Sequence, residues 1–439
     1  MTNIGISQWI KAIYRYCLIP IRLNKASINK FSVVIGFSPW KTFISDWLPN
    51  CEIRRERYNL SKKEFWLVTA PLLLRHRSRA EVFVWGYKEP DFVRRFCERH
   101  KIPLNRVEDG FIRSVQLGAT KVPPLSICID RQALYYDPTS PSDLEEILNT
   151  FPFDANPEVV ARGRAGIEAL LASRLSKYNV GLGVDVDEIY GPKDRKRILV
   201  LGQVEGDMSI LKGCNIPGIT NNDLVWIARS ENPKAQIIYK PHPEVLRGIR
   251  KDPPQSDSRE VLGIAQVLFE DISLADALQT IDQVYTITSL SGFEALIRGI
   301  PVTCLGAPFY SGWGLTDDRQ RVARRSRKLT IEQLFAGAYI LYPRYFDPYR
   351  RRLIEFEEAL SLLETMKKGA SERERLHRAS GKGGLQETAK PDKSNVSPAE
   401  LQLETLRTIR KMLEALDPPK KAITAPKPPA RPIRSKLRA

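Results

Sequence analysis

Residues Gln283 to Leu305 read QVYTITSLSGFEALIRGIPVTCL. The stretch opens as a β-branched and aromatic strand over Gln283–Ile287 and turns at Thr288-Ser289-Leu290-Ser291-Gly292. A helix follows to Arg298, Gly299 stops it, and a second strand begins at Val302 and runs to Leu305. Strand, turn, helix and strand in this order make one α/β unit, and open α/β sheets bind ligands in the crevice beyond the carboxyl ends of their strands. Ser289, Ser291 and Gly292 stand at the helix start, where unpaired backbone N–H groups favour an anion. The same residues also suit an ordinary capped helix. Glu294 is either a plain first-turn acid or a hydrogen-bond partner for ribose hydroxyls.

Upstream, two more strand ends should face the same crevice. The strand Arg197–Leu201 (RILVL) runs into Gly202-Gln203-Val204-Glu205-Gly206-Asp207, and Gln236–Tyr239 (QIIY) runs into Lys240-Pro241-His242-Pro243. Carboxylates at a strand's carboxyl end, here Glu205 and Asp207, can serve as nucleophile or base in sugar transfer, or simply solvate a turn. Two prolines hold His242 in a stiff, extended segment. His242 and Lys240 can donate hydrogen bonds to a phosphate or carboxylate, although a Pro-stiffened surface loop would look similar.

The first part of the chain repeats the α/β style. Strands are expected at Phe31–Phe37, Glu81–Trp85, Val107–Ile112, Leu125–Asp130 and Ala133–Tyr136, with helical segments such as Pro90–His100 between several of them. Glu108-Asp109-Gly110 places a carboxylate pair at an Asp-Gly turn, with Arg113 close by, so Asp109 is a candidate catalytic acid and Glu108 and Arg113 are candidate substrate contacts; the dipeptide is equally a plain turn signal. The clusters at Gly36–Trp40 and Trp85-Gly86 are candidate crevice turns of this part. Ser140-Pro141-Ser142-Asp143 with Glu145 opens a helix, and Val159–Tyr178 reads as a longer one. The expected division is 1–137 as a Rossmann-like domain, 138–195 as a helical bridge, 196–348 as a second Rossmann-like domain, and 349–367 as a closing segment whose amphipathic helix spans Arg352–Met366. A basic, largely disordered tail at 368–439 follows, with a helix possible at 398–416.

The 439 residues carry a formal charge of +17 and are 42% hydrophobic and 9% aromatic, the composition of a globular protein with anionic partners. Much of the positive charge is concentrated in Lys420–Arg438, which has no acid. No apolar run is long enough to span a membrane, and the first thirty residues lack a signal-peptide pattern, so a cytoplasmic location is expected. Six cysteines without a C-x-x-C pair and four histidines at no metal-ligand spacing argue against structural zinc or a disulfide framework.

Taken together, the motifs resemble those of the capsule polysaccharide β-Kdo glycosyltransferases, the KpsC-type proteins. The resemblance rests on Glu108–Leu117 (EDGFIRSVQL), Pro123–Tyr136, Asp137–Leu148, Gly202–Ile210 (GQVEGDMSI), Tyr239–Pro243, Thr286–Gly299 and Gly306–Thr316 (GAPFYSGWGLT), in that order. It implies a GT-B-like architecture, two Rossmann-like domains facing a cleft, with the donor in the second and the acceptor in the first. It implies transfer of Kdo from CMP-Kdo, with retention, to a lipid-linked Kdo oligosaccharide in capsule synthesis and export. His242-Pro243, Ser289 and Ser291 would hold CMP, Gln203 and Asp207 would match a Gln-x-x-x-Asp motif with Asp207 as nucleophile, and no metal or other cofactor would be needed. The protein would work in the cytoplasm on the anionic inner-membrane surface, beside other capsule assembly or export proteins. Gly206 departs from the family pattern, which is commonly acidic there, and the chain holds one module where many members hold two. A non-catalytic capsule processing or export factor would keep this fold without needing the acids. A nucleic-acid binder could use the basic tail, but no helix-turn-helix, RRM or zinc pattern accompanies it.

Overall fold

The computed structural model describes residues 30–115, 121–177, 185–249, 255–270 and 272–379. The expected tail helix at 398–416 and the basic run Lys420–Arg438 lie outside the described residues. The described residues up to Glu364 form one compact unit, and those from Thr365 belong to a second.

The first unit holds two sheets. Strands β1 (Lys30–Ile35), β2 (Cys51–Arg55), β3 (Ala80–Trp85), β4 (Leu104–Asp109) and β5 (Ser126–Asp130) come from the first part of the chain. Strands β6 (Arg197–Leu201), β7 (Gln236–Lys240), β8 (Gln266–Val267), β9 (Gln283–Thr286), β10 (Val302–Cys304) and β11 (Asp317–Asp318) make a wholly parallel sheet in the order β11-β10-β9-β6-β7-β8. Every residue of β6 is buried, as expected for a central parallel strand covered on both faces. Its side chains join Leu224, Val225 and Ala228 of the helix Asn221–Glu231 in one apolar core.

The chain then returns to the first sheet. Strands β12 (Arg344–Asp347) and β13 (Arg352–Ile354) add to it antiparallel, giving the order β13-β12-β5-β4-β3-β1-β2. Two sequence expectations change here. Arg344–Asp347 belongs with the first sheet although it follows the second in sequence, and Arg352–Ile354 is a strand rather than the first turn of the closing helix. That helix starts at Phe356 and continues past Lys367 to Ala379. The physical reason is packing: Phe346 lies 5.3 Å from the ring of Trp47 and fills the core under β1 and β3.

Two further expectations fail locally. Ala133–Tyr136 is no strand; Ala133 makes one isolated bridge to Ser142 and the rest turns, with Asp137 N–H donating to the Leu134 carbonyl at 2.8 Å. The expected strand Val107–Ile112 ends at Asp109, where Gly110 N–H crosses to the Ser126 carbonyl at 2.9 Å. The bridging helices run Asp143–Thr150, Pro157–Ser173 and Val186–Tyr190. Ser142 caps the first, accepting from Glu145 N–H at 3.0 Å, as its position predicts. The second ends at Ser173, short of Tyr178, with Arg174 in the left-handed conformation at its C-cap.

Candidate active site

A cavity of about 770 Å³ lies at the carboxyl ends of β1, β3 and β4 of the first sheet and of β6, β7 and β9 of the second. Each strand end contributes the residues that follow it, so Ser38 and Glu294, 256 positions apart in sequence, line one space.

On the first sheet's side, β4 ends in the carboxylate pair Glu108 and Asp109. Asp109 Oδ2 accepts from Arg113 Nε at 2.7 Å, and Arg113 is 1% exposed. Asp109 Oδ1 is buried and has no hydrogen-bond partner within the protein. Glu108 Oε1 accepts from the Asp109 N–H at 3.0 Å. Burial, then the Asp109 charge, hold the Glu108 carboxyl above its ordinary range, while Lys41 opposes them. The Lys41 ammonium lies 2.7 Å from the centroid of the Trp85 ring and 5.3 Å from that of Trp40. Burial pushes this amine down to about 7, against the pull of Asp109 and Glu108. Tyr135 and Tyr136 complete this wall, and burial raises both phenols far from ionisation.

On the second sheet's side the loops are tied to one another. Gln203 Oε1 accepts from Thr288 N–H at 2.8 Å and its Nε2 donates to Thr288 Oγ1 at 3.1 Å, joining the turn after β6 to the turn after β9. Asn221 clasps the Gln203 backbone on both sides, accepting its N–H at 2.9 Å and donating to its carbonyl at 2.8 Å. Glu205 faces away from the cavity. Its oxygens accept from Asn221 N–H at 2.6 Å and from Ser256 Oγ and N–H at 2.5 and 2.8 Å, so it shapes the loop and does not reach a substrate. Gly206 has φ 84°, a conformation that strains any residue with a β-carbon, so the turn itself accounts for glycine at this position. Asp207 is exposed at the cavity and caps the helix Met208–Gly213, accepting from Ser209 N–H at 2.9 Å.

His242 caps the short helix Pro243–Leu246. Its Nδ1 accepts from Glu244 N–H at 3.2 Å, which leaves Nε2 as the proton-bearing nitrogen. Lys240, at the end of β7, is buried and lines the cavity together with His242 and Pro243. The helix after β9 spans Leu290–Leu296. Ser289 caps it, accepting from Ser291 N–H at 3.2 Å, and Tyr310 OH donates to the Ser289 carbonyl at 2.5 Å. Gly292 lies behind the wall: a β-carbon there would sit 2.2 Å from Tyr310 OH. Glu294 lines the cavity and is 3% exposed; its Oε1 accepts from Lys177 N–H at 3.4 Å and its Oε2 is buried without a partner within the protein. Burial raises its carboxyl to about 7 against the opposing Arg298 charge, so near neutrality a substantial share of it is protonated and can donate a hydrogen bond.

Of the candidates read from sequence, all but Glu205 and Gly292 line this cavity. Lys41 was not among them; the only sequence signal for it is its place beside Trp40, just after the first strand's turn. Among the described residues no group of three or more His, Cys, Asp or Glu could hold a metal ion.

Residues 80–180 and 160–345 match a family described as capsule polysaccharide biosynthesis protein. The lipopolysaccharide-processing protein LpsZ of Rhizobium meliloti is 44% identical over 338 residues, 77% of this chain and 75% of that protein. The chain belongs to this capsule polysaccharide biosynthesis family. The capsule polysaccharide modification protein LipA of Neisseria meningitidis serogroup A is 39% identical over 78% of the chain, which spans only 47% of LipA. Among solved structures, a Thermosulfurimonas dismutans KpsC β-Kdo 2,4 transferase superposes with a TM-score of 0.63 at 31% identity, covering 77% of this chain and 99% of that one. The β-Kdo 2,7 transferase of the same organism gives 0.59 at 33% identity, with the same coverage. The family member described here therefore has the α/β fold of two Kdo transferases. No helix among its described residues is long and apolar enough to cross a membrane.

Proposed function

We propose that this chain is a retaining β-Kdo transferase of GT-B-like architecture that moves Kdo from CMP-Kdo to a lipid-linked Kdo oligosaccharide. The observation that carries the reading is Asp109: a cavity-lining carboxylate whose one oxygen is fixed by buried Arg113 and whose other is buried and without a partner in the protein. The two Kdo transferases of the same fold support the substrate class.

Retention needs two displacements. Asp109 Oδ1 forms a bond to the anomeric carbon as the bond to the CMP phosphate oxygen breaks. An acceptor hydroxyl then displaces the Asp109 carboxylate, and its proton passes to the neighbouring Glu108 carboxylate. Arg113 holds Asp109 in place through its hydrogen bond to Oδ2. Asp207, the nucleophile that the resemblance implies, suits that role less, because it is exposed and one of its oxygens caps a helix. It remains close enough to the cavity to contact donor.

Lys240, His242 and the segment Ser289–Ser291 are the proposed contacts of the CMP moiety, with protonated Glu294 donating to an oxygen of the nucleotide. No metal enters this scheme: the phosphate charge is met by Lys240 and His242. A lipid-linked acceptor would place the work at the cytoplasmic face of the inner membrane, with capsule assembly or export proteins as partners.

The test is incubation of the full chain with CMP-Kdo and a synthetic Kdo-lipid acceptor, followed by mass spectrometry and an NMR assignment of the new linkage. A product one Kdo heavier with the β configuration supports the reading. An unchanged acceptor, with CMP-Kdo neither consumed nor bound, points instead to a non-catalytic processing or export factor.

A further inference from the structure

Between β2 and β3 the chain forms three abutting helical segments, Lys62–Glu64, Phe65–Thr69 and Ala70–Arg75, the middle one a π-helical turn. Their inner face is ordinary core. Phe65, Thr69, Ala70 and Leu73 are buried, and Phe65, Ala70 and Leu73 pack with Val93 and Phe96 against the first sheet. The outer face is not ordinary. Trp66 is 48% exposed, Leu67 55% and Leu74 43%, and Pro71 lies exposed between them.

The spacing of Leu67, Pro71 and Leu74 puts these three on one helical face. The π turn adds a residue to its turn of helix, which leaves Trp66 and Leu67 outward together. The indole is held in place: its ring lies 5.4 Å from Phe65 and 5.6 Å edge-on from Phe96. A fixed, half-exposed tryptophan beside two exposed leucines is a contiguous apolar ridge, not scattered surface hydrophobes.

The charge around the ridge is one-sided. Residues 57–79 contain Arg57, Lys62, Lys63, Arg75, Arg77 and Arg79 against the single acid Glu64. Lys62, Lys63, Arg75 and Arg77 are exposed at the two ends of the ridge.

We propose that this ridge is a membrane-docking surface, on which Trp66, Leu67 and Leu74 enter the headgroup boundary of an anionic bilayer while the flanking Lys and Arg side chains meet its phosphates. The chemistry fits an interfacial helix: an apolar face led by tryptophan, a basic rim, and an inner face anchored to a rigid domain. Charge complementarity selects the anionic lipid surface. A stable protein partner takes about 800 Å² from each side, more than one tryptophan and two leucines provide.

The inference is independent of the transferase reading, since no sugar substrate enters its test. The full chain is sedimented with phosphatidylethanolamine vesicles, with and without phosphatidylglycerol. Trp66→Ser/Leu67→Ser/Leu74→Ser should bind about 10-fold more weakly or worse. Lys62→Glu/Lys63→Glu/Arg75→Glu should lose only the part of binding that depends on phosphatidylglycerol. Trp66→Phe, which keeps an aromatic ring, should still bind but lose fluorescence quenching by brominated lipid, and this arm decides if the triple serine variant misfolds. Undiminished binding of the folded triple variant overturns the proposal, as does quenching that survives Trp66→Phe. A native dimer that becomes monomeric in the triple variant also overturns it and assigns the ridge to a second copy of the chain.

Discussion

Replacing Glu294 by Gln should flatten the pH dependence of stability. The carboxyl is buried, its Oε2 has no partner in the protein, and its folded value is raised from 4.5 to about 7. In that interval the native state holds a proton that the unfolded state has released. The contribution is therefore fully present below pH 4.5 and is lost as pH rises through about 7. The gap between those two values corresponds to roughly 3 kcal/mol. Glutamine keeps the size and the neutral state and can still accept from Lys177 N–H, so it should match the native protein at low pH and exceed it above neutrality. Asp130, which burial raises to about 7 although Tyr342 and the Asp143 N–H favour its ionised form, drifts the same way but is common to both proteins and cancels in their difference. Urea unfolding of both proteins across pH 4.5–8.5 measures it. Parallel stability curves would show that Glu294 ionises normally in the fold and would refute the reasoning.

Gly292→Ala should destabilise the protein by about 1–3 kcal/mol and weaken donor binding, because the new methyl displaces Tyr310 OH from the Ser289 carbonyl; thermal unfolding and CMP titration measure the two effects. Gln203→Ala should cost about 1–3 kcal/mol by stranding the Thr288 N–H, and should raise the apparent constant for CMP-Kdo more than it lowers turnover, measured by steady-state kinetics. Transfer should survive a chelator, tested by assaying with and without EDTA; activity that EDTA abolishes and magnesium restores would contradict the metal-free scheme.

The four inner strands of the second sheet were legible because they are short apolar runs such as RILVL and QIIY, whereas the two-residue edge strands Gln266–Val267 and Asp317–Asp318 are too short to leave a pattern. The edge strand Cys51–Arg55 was not expected, since all five residues are half-buried and two are arginines, which carries no strand-like hydrophobic run. The return of Arg344–Asp347 to the first sheet is a long-range pairing, and nothing local in the sequence distinguishes it from another strand of the second sheet. The candidate site was legible where strand ends carry unusual residues, as at Glu108-Asp109 and Lys240–Pro243. It was not legible where role depends on direction: Glu205 and Asp207 lie two residues apart, yet one turns inward to bind the loop backbone and the other opens on the cavity. Lys41 was hidden for a related reason, because a lysine's depressed basicity comes from its burial in the fold and leaves no mark in the sequence.

The proposal stands or falls on which carboxylate carries the sugar. Intact-protein mass spectrometry after incubation with CMP-Kdo alone, without acceptor, reads this directly. An adduct of one Kdo is expected on the native protein and on Asp207→Asn, with no adduct on Asp109→Asn and transfer lowered by several orders of magnitude in Asp109→Asn. An adduct that persists in Asp109→Asn and disappears in Asp207→Asn would contradict the proposal.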